Sequence, residues 1–593
     1  MRSYYLIKPY FIQRRRLIIA GIIALMAVDT LQLFIPRVVK RAVDDLAVLA
    51  ADPQLGLYAA QILAIAVCMA ILRYFWRRFL IGTSRVVEEG LRNELFAHVQ
   101  TLSAPYFDRS RTGDLMAHAV NDITNIRMAV GMGMVALTDA VFLGTAAICF
   151  MAYINIELTL FALIPMPVIV WFTKVFGKKM HRRYGTVQQT FSELTEAARE
   201  GFAGNRVIKA FNREAAQTRR LAAVSKEYIR ENLKLVRITG TFFPLMLLCT
   251  NISVAIVVWI GGRQTILGDI SPGDFVAFIS YLNLLAWPMM AMGWVTNLIQ
   301  RGAASLDRID AILKTVPDVA DDAGASPNIR LRDIRFRGRI SFENVTCAYS
   351  PDGPAVLSHI TLTVPEGSIL GVVGPQGGGK STLLDLVPRI YDATGGRVTI
   401  DGTDVRDIGL QCLRDQIALA PQEPFLFSGA IRDNITLGRV VGPETLIRTA
   451  EDAALHDAIT AFPEGYDTLV GEKGVVLSGG QKQRIVLARA LLRDTPILLL
   501  DDPVGQVDTR TAARIIDTIR SRKGRQTIII ASHRMAAVQF ADRIITIDDG
   551  RIIESGTHDE LMASGGYYAK TWLMQQITAP APKRTTVDED KGP

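Results

Sequence analysis

Long apolar runs, separated by polar stretches with helical periodicity, occupy the first half of the chain. A helix needs about 20 apolar residues to cross a bilayer. Six runs satisfy this length, and they cover residues 17–39, 57–80, 131–154, 158–175, 241–260 and 275–298. The pattern predicts a domain of six membrane-spanning α-helices. An even number of spans would leave both ends of this domain on the same side of the membrane.

Two polar segments between the spans are too long to be simple loops. They cover about residues 81–130 and 176–240, and each could form two helical arms of about 25 residues, reaching roughly 37 Å. We expect short tip helices near residues 107–123 and 205–219. Solvated charged loops are the alternative, but structureless loops of this length are uncommon. The segments therefore predict cytoplasmic helical extensions that couple the spans to another domain.

The second half of the chain follows a different pattern. Residues 316–328 are rich in Pro, Gly, Asp and Ala, which indicates a linker. From Arg339 onward, short β-rich runs alternate with helical ones, as is typical of an α/β domain. The predicted organisation is an N-terminal elbow segment (1–16), a membrane domain (17–315), a linker (316–338), an α/β domain (339–576) and a disordered tail (577–593).

Charge supports the membrane assignment. The chain has 593 residues, of which 49% are hydrophobic, and a net charge of +8. Basic residues crowd the ends of the apolar runs, as at Arg14–Arg16, which fits membrane topology better than nucleic-acid binding. Arg37, Lys40 and Arg41 fall on the outer side as a local exception. The positive-inside rule therefore predicts that both termini are cytoplasmic.

Two other features of the chain have alternative interpretations. A signal peptide is the competing interpretation of the N-terminus, but the first apolar run is too long and lacks a cleavage site. The five cysteines show neither metal-ligand spacing nor a paired pattern, so we expect ordinary small apolar residues.

A glycine-rich run at residues 374–382, Gly-Pro-Gln-Gly-Gly-Gly-Lys-Ser-Thr, carries the clearest chemistry. A strand-like segment precedes it and a helical segment follows, which is the context that a phosphate-binding loop requires. Glycines let backbone N–H groups turn toward phosphates, and the helix N-terminus adds a positive field. The predicted nucleotide-binding residues of this loop are Gly374, Gly377, Gly379, Lys380, Ser381 and Thr382.

Two adjacent acids end a second apolar strand, at residues 496–502. A buried parallel strand delivers its last carboxylate to the ligand crevice, so Asp501 is the expected magnesium-associated residue. Asp502 follows directly. Between the two motifs, Leu477, Ser478, Gly479, Gly480 and Gln481 open a helical run. Small residues at a helix start form an anion site. Their distance along the chain from the phosphate-binding loop suggests that they serve the nucleotide of another chain.

These motifs resemble those of the ATP-binding cassette family, and the whole chain resembles a half-exporter with six spans fused to one α/β P-loop NTPase domain. The resemblance implies ATP and Mg²⁺ as cofactors, ATP hydrolysis coupled to transport, and a multi-pass position in the bacterial inner membrane. It also assigns residue roles: Tyr349 to adenine stacking, Gln422 to magnesium sensing, Leu477–Gln481 to the signature sequence, Glu472 to a crosslinking loop, Asp508 to cross-dimer contact, and His533 to the switch histidine.

Family members that hydrolyse ATP carry Glu where this chain has Asp502. Aspartate is one methylene shorter, and a misplacement of about 1 Å can cost about 100-fold in rate. Residues 503–508 also depart from the family, because Pro-Val-Gly-Gln-Val-Asp replaces the usual Ala-Thr-Ser-Ala-Leu-Asp. The predicted catalytic residues are Asp502, His533 and Gln422, and the predicted metal-associated residues are Ser381, Gln422 and Asp501. We therefore expect firm ATP binding and slow hydrolysis.

Cassettes of this family pair head to tail. A shortened acid with an intact signature resembles one half of a bacterial heterodimeric multidrug exporter, with a homodimer of two slow sites as the alternative. The expected partners are a second half-transporter, membrane lipid and an amphipathic small molecule, but not nucleic acid. Two acids in the spans, Asp29 and Asp139, would either recognise cationic amphiphiles or form interhelical hydrogen bonds.

Three other functions share most of these motifs. A homodimeric lipid or peptide exporter shares all of them except the shortened acid. An importer built on the exporter scaffold, for example for siderophores, would move its substrate inward. An ATP-gated regulator or channel would not pump at all.

Overall fold

The computed structural model describes residues 2–47, 54–321, 334–350, 353–471 and 477–578. These residues form two compact units. The first contains the described residues up to 100 together with 111–315, and the second contains 101–110 together with the described residues from 316 onward. Most of the predicted linker and tail lies outside the described residues, although the last helix includes the first two residues assigned to the tail.

The first unit is entirely helical in its described part. Its α-helices are Lys8–Gln13, Arg15–Ala47, Leu55–Trp76, Gly82–Thr101, Thr112–Ala117, Ile123–Met128, Met134–Ile154, Ile156–Leu163, Met166–Ala203, Asn205–Ala210, Glu214–Ile256, Gly262–Leu267 and Pro272–Leu313. A 3₁₀ turn at Arg2–Leu6 precedes them. Four π-helical turns join consecutive helices without a break, at Arg77–Ile81, His118–Asp122, Ala129–Gly133 and Val257–Gly261.

Five helical runs in the described part of the chain are long and apolar enough to cross a membrane. They are Arg15–Ala47, Leu55–Thr101, Thr112–Ile154, Ile156–Ala203 and Glu214–Leu267. These runs contain the first five predicted spans, and the sixth, residues 275–298, lies within the helix Pro272–Leu313. The predicted fold class, a helical membrane domain fused to an α/β domain, is confirmed.

The first predicted tip helix was misplaced. The short helix at this turn is Ala104–Arg109, and the returning helix already begins at Thr112. Ser103 has extended backbone, with ψ at 161°, and a proline opens the short helix. Ser110 is extended again at its end. The second short helix, Asn205–Ala210, lies inside the predicted interval, and the returning helix begins at Glu214.

The second unit is an α/β domain in which twelve strands are described. They are β1 (Ile340–Cys347), β2 (Leu357–Val364), β3 (Ile369–Val373), β4 (Gly395–Ile400), β5 (Thr403–Asp404), β6 (Ile417–Ala420), β7 (Gly429–Ala430), β8 (Leu469–Val470), β9 (Ile497–Asp501), β10 (Thr527–Ala531), β11 (Arg543–Asp548) and β12 (Arg551–Gly556). Its described α-helices are Ala104–Arg109, Lys380–Leu386, Leu410–Asp415, Ile431–Thr436, Pro443–Asp452, His456–Thr460, Gly479–Leu491, Thr509–Ser521, His558–Ser564 and Tyr567–Thr578.

These strands form three sheets, with the orders β2-β1-β4-β5, β12-β11-β3-β10-β9-β6 and β7-β8. The neighbours from β11 to β6 in the six-stranded sheet are parallel. Strands β3, β9 and β10 are buried at every position, because apolar side chains alternate between two hydrophobic clusters on opposite faces. The sheet is thereby covered on both faces.

In the first unit, hydrogen bonds fasten the end of Arg15–Ala47 to the start of Pro272–Leu313. One carboxylate oxygen of Asp44 accepts from the backbone N–H of Gly273 at 2.7 Å, and the other accepts from Ser271 Oγ at 3.0 Å. Lys40 pairs with Asp274 at 2.5 Å. A Cβ at Gly273 would lie 2.2 Å from the carbonyl oxygen of Lys40, so only glycine permits this close approach.

Replacing Asp44 with Ala should destabilise the first unit, because the backbone N–H of buried Gly273 loses its acceptor and Ser271 Oγ keeps only Asp274. The expected cost is about 1–3 kcal/mol, measured as a lower unfolding temperature of the full chain in detergent. Asp269→Ala is the matched control, since Asp269 is exposed near the same helix end. Equal unfolding temperatures for the two variants would contradict the assignment.

Candidate functional site

The parallel register brings four strand ends to one edge of the sheet. Val372 of β3 lies beside Ala531 of β10, Ala531 beside Asp501 of β9, and Leu500 of β9 beside Ala420 of β6. The segments that follow these strands therefore start side by side. They are the phosphate-binding loop, the segment of Ser532 and His533, the pair Asp501–Asp502, and the segment of Gln422. Such an edge is where doubly wound α/β proteins bind ligands.

Glycine is a steric requirement at the start of the phosphate-binding loop. Gly374 has φ of 146°, and a Cβ there would lie 2.0 Å from the carbonyl oxygen of Ile547. Gly379, with φ of 98°, leads into the helix Lys380–Leu386. Gly377 also has positive φ, at 78°. The loop folds around the Lys380 ammonium, which donates to the carbonyls of Gly374 at 3.0 Å and of Pro375 at 2.7 Å.

Lys380 and Asp501 are both buried at this edge. Burial lowers the pKa of the Lys380 ammonium, while the negative charges of Asp501 and Asp502 oppose that shift. Burial raises the pKa of the Asp501 carboxyl, and a hydrogen bond with Ser381 opposes the rise. A hydroxyl and a carboxylate thus meet beside the loop, and oxygen ligands of this kind suit Mg²⁺. The donor set fits the predicted metal.

The Asp502 carboxylate is held in a defined position. Its Oδ1 accepts from Ser532 Oγ at 2.8 Å. A Cβ at residue 505 would lie 2.0 Å from the other carboxylate oxygen, so Gly505 leaves the space that this carboxylate fills. Asp502 itself has φ of 48°, a left-handed conformation that aspartate tolerates better than most residues. The two departures from the family pattern, at 502 and 505, are therefore sterically linked.

The loop of residues 503–508 packs on the signature helix of the same chain. Gln483, on the helix Gly479–Leu491, donates to the carbonyl of Asp502 and accepts from the backbone N–H of Gln506 at 2.9 Å. Added Cβ atoms at Gly479 and Gly480 would lie 2.3 and 2.7 Å from oxygens of Gln506. The two glycines of the signature thus make room for this loop.

The guanidinium of Arg534 holds the same loop through two other backbone carbonyls. It donates to the carbonyls of Val507 at 3.0 Å and of Gly505 at 3.1 Å. In the signature itself, Ser478 caps the helix in a reciprocal capping box with Gln481, and Leu477 is buried. Loop and signature therefore form one hydrogen-bonded assembly.

His533 lies half-buried after β10. Burial lowers the pKa of its imidazole, the nearby Lys380 charge lowers it further, and Asp502 and Asp501 oppose the shift. Burial thus favours the neutral imidazole, which has one donor and one acceptor nitrogen. Gln422 is exposed two residues beyond β6 at the same sheet edge.

Tyr349 begins a chain of contacts that runs from the phosphate-binding loop to the short helix Ala104–Arg109. Its hydroxyl is 2.7 Å from Thr382 Oγ1, and its ring packs edge-on against Tyr391 with centroids 5.0 Å apart. The hydroxyl of Tyr391 donates to Asp108 at 2.8 Å, in the short helix Ala104–Arg109. Because residues 101–110 cluster with the second unit, this chain of contacts lies within one compact body.

The remaining predicted residues lie elsewhere. Asp508 caps the helix Thr509–Ser521 by accepting from the N–H groups of Arg510 and Thr511 at 3.1 and 3.0 Å. Glu472 lies outside the described residues. In the first unit, Asp29 is only 4% exposed and Asp139 is half-buried. Each has one buried carboxylate oxygen without a hydrogen-bond partner in the described part of the chain.

Three site residues were missed in the sequence. Ser532 could have been found, because it directly follows a buried parallel strand, as Asp502 does. Gln483 and Arg534 act on backbone groups of the 503–508 loop, and nothing in their sequence context indicates that role.

The helical membrane unit and the phosphate-binding edge together define a nucleotide-driven membrane transporter. Residues 18–289 match the ABC transporter transmembrane region, and residues 357–505 match the ABC transporter domain. The chain belongs to the ABC transporter family. It is a multi-pass membrane protein whose ABC domain binds ATP and couples ATP hydrolysis to transport.

Full-length relatives agree with this assignment. The probable multidrug resistance ABC transporter ATP-binding/permease protein YheI of Bacillus subtilis (strain 168) is 34% identical over 94% of this chain and 95% of its own length. The multidrug resistance-like ATP-binding protein MdlA of Escherichia coli (strain K12) is 34% identical over 98% of both chains. A solved bacterial Atm1-family ABC exporter with ATP bound is similar over 96% of this chain and 99% of that one, with a TM-score of 0.77 and 26% identity.

Replacing Gly374 with Ala should weaken ATP binding at least about tenfold, because the new Cβ would meet a backbone oxygen and the loop could not close. Titration with a fluorescent ATP analogue would measure the change. Gly402→Ala is the matched control, because Gly402 also has positive φ, at 83°, yet a Cβ there meets nothing within 4 Å. Equal affinities in the two variants would contradict the steric argument.

Proposed function

We propose that this chain is one half of a heterodimeric, ATP-driven exporter of amphipathic or hydrophobic compounds, whose own phosphate-binding site hydrolyses ATP slowly. The observation that carries the proposal is the shortened carboxylate of Asp502. It is held by Ser532 and seated against Gly505, while the signature Leu477–Gln481 keeps its capped helix start. These positions support retained nucleotide binding and signature function beside an altered hydrolytic acid.

Nucleotide binding at this site uses the residues gathered at the sheet edge. The loop N–H groups and Lys380 bind the phosphates, and Tyr349 stacks on adenine beside Thr382. Ser381, Asp501 and Gln422 would hold Mg²⁺, which neutralises phosphate charge when bound. The meeting of Ser381 with Asp501 supports this assignment.

Slow hydrolysis follows from the position of the acid. A base that orients water must lie within hydrogen-bond reach of it, and Asp502 ends one methylene short while its Oδ1 is bound to Ser532. The neutral imidazole of His533 remains available to hydrogen-bond the γ-phosphate. ATP would therefore stay bound at this chain's own site for a long time before it is hydrolysed.

Transport is driven by closure of two cassettes. ATP binding favours the closed pair, a population shift between two states. In that pair, Ser478 and Gly480 would complete the partner's nucleotide site, and Asp508 would contact the partner. The path from Thr382 through Tyr349 and Tyr391 to Asp108 supports a coupling role for the helix Ala104–Arg109. With the inner-membrane topology predicted above, both termini and the ABC domain are cytoplasmic.

The substrate class is supported by the names of the relatives. Both YheI and MdlA carry names that refer to multidrug resistance. Hydrophobic or amphipathic compounds would reach the spans from the membrane.

Asp502→Glu should restore hydrolysis at this site in the assembled transporter, because the longer side chain reaches the water. Two working sites in place of one would raise total ATP turnover at most about twofold. Single-turnover hydrolysis of ATP trapped on this chain should rise further, up to about 100-fold. Asp502→Gln is the matched control, since it has the length of glutamate but no carboxylate, and it should show no gain. An unchanged single-turnover rate in Asp502→Glu would contradict the geometric account.

The assembly is tested by comparing the chain purified alone with the chain co-expressed with a half-transporter that carries Glu at the equivalent position. Alone, its ATPase rate should be about 1% of that of the complex. Glu→Gln in the second half should abolish activity of the complex, whereas Asp502→Asn should change it little. Brisk ATP turnover by homodimers of this chain alone would refute the heterodimer.

A further inference from the structure

The position of the His533 ring depends on the main chain that carries it. The imidazole lies close enough to Lys380, Asp501 and Asp502 for their charges to act on it, but no hydrogen bond holds the ring in the part of the chain that the structure describes. Residues 532–534 follow β10 and belong to neither a helix nor a strand. The contacts that fix this segment therefore decide where the ring lies.

One side chain from the last described helix binds this segment at two points. The amide nitrogen of Gln575 donates to the carbonyl of His533 at 2.7 Å, and the amide oxygen of Gln575 accepts from the backbone N–H of Met535 at 2.9 Å. A side-chain amide offers a donor and an acceptor at once, whereas a glutamate carboxylate of the same length only accepts. Gln575 thus clamps the main chain on both sides of Arg534.

The helix that carries this clamp, Tyr567–Thr578, is itself packed on the domain core. Tyr568, Trp572 and Gln575 follow one another at helical spacing and share one face. Tyr568 is fully buried, with its hydroxyl 2.8 Å from Nδ1 of His558, and Trp572 packs against the same hydrophobic cluster as Tyr568. The amide of Gln575 is therefore presented by a face that packing holds in place.

The start of the same helix is tied to the nucleotide-binding sheet. Both carboxylate oxygens of Glu554, on β12, accept from the helix, one from the N–H of Tyr567 at 2.7 Å and the other from the N–H of Tyr568 at 3.0 Å. A carboxylate at a helix N-terminus is also favoured by the helix dipole. Strand β12 pairs with β11, and β11 pairs with β3, which leads into the phosphate-binding loop. One sheet therefore positions both the loop and the helix of the clamp.

Other hydrogen bonds reach the main chain next to His533. Ser532 Oγ donates to Asp502 and accepts from the backbone N–H of Arg534 at 3.0 Å. The Arg534 guanidinium in turn holds the loop of residues 503–508. These contacts start from neighbours of the histidine, whereas Gln575 binds the carbonyl of His533 itself.

We infer that Gln575 is a positioning residue for ATP hydrolysis, which fixes the main chain of His533 so that the imidazole meets the γ-phosphate. The inference rests on the role proposed above for His533. Without the clamp, the carbonyl of His533 would turn toward water and carry the ring away from the phosphate. A displacement of about 1 Å can cost up to about 100-fold in rate.

The test replaces Gln575 with Ala in the full transporter, whose partner half carries Glu→Gln so that cleavage is followed at this chain's own site. Single-turnover hydrolysis of ATP trapped on this chain should slow roughly tenfold. ATP affinity should fall severalfold, while ADP, which lacks the γ-phosphate, should bind as before. Equal losses of ATP and ADP affinity would indicate a merely structural role and overturn the inference.

Gln576→Ala is the matched control. Gln576 is the adjacent residue of the same type on the same helix, it is exposed, and it makes no hydrogen bond within the described ranges. Its replacement should leave the single-turnover rate and both affinities unchanged. Equal rates in the Gln575 and Gln576 variants would overturn the inference.

A double-mutant cycle shows whether the clamp acts through the histidine. His533→Ala should slow single-turnover hydrolysis about 100-fold, and adding Gln575→Ala should slow it no further. A further tenfold loss in the double variant would contradict the clamp. An unchanged rate in His533→Ala would refute the role proposed for that histidine, whereas an unchanged rate in Gln575→Ala beside a slowed His533→Ala would overturn this inference alone. The ratios between variants do not depend on whether the unaltered site is slow, so a brisk wild-type rate would refute only the proposed slow site.

Discussion

The hydrogen-bond ladder between parallel strands β3, β10, β9 and β6 is the constraint on which the nucleotide site depends. Its register makes four strands end at one edge, so residues from four distant parts of the chain meet there. A change of register in the central strands would be costly, because it would move each apolar side chain into the hydrophobic cluster on the opposite face and disrupt the packing of both. The glycines then set how closely the loops approach that edge, most strictly at Gly374 against Ile547.

The sequence predicted the residues of this edge better than their contacts. Motif context identified the phosphate-binding loop and Asp501, because strand ends and helix starts have strong local patterns, whereas His533 was assigned through the family resemblance. Hydrophobic length identified the spans. The misplaced tip helix at residues 107–123 has a local cause in the extended backbone of Ser103 and Ser110, which no helical period reveals. The roles of Gln483 and Arg534 depend on tertiary packing, which periodicity does not encode.

The shortened acid and its neighbouring glycine illustrate the same limit. In the sequence, Asp502 and Gly505 are two separate departures from a family pattern. In the structure they are one feature, because the carboxylate fills the space that a side chain at 505 would occupy. The acids in the spans changed meaning as well. Asp29 and Asp139 both interact electrostatically with Arg73 of the helix Leu55–Trp76, so each acid has a cationic neighbour within its own chain.

The hydrogen bonds of Gln483 connect the surroundings of Asp502 with the signature of the same chain. One side chain bridges the backbone after the shortened acid and the loop that packs against the signature glycines. Through this bridge, a shift of Asp502 would be transmitted to the loop that contacts Gly479 and Gly480 of the signature. In the proposed heterodimer, a site that retains its nucleotide would keep its side of the paired cassettes closed while the partner's site hydrolyses ATP and reopens.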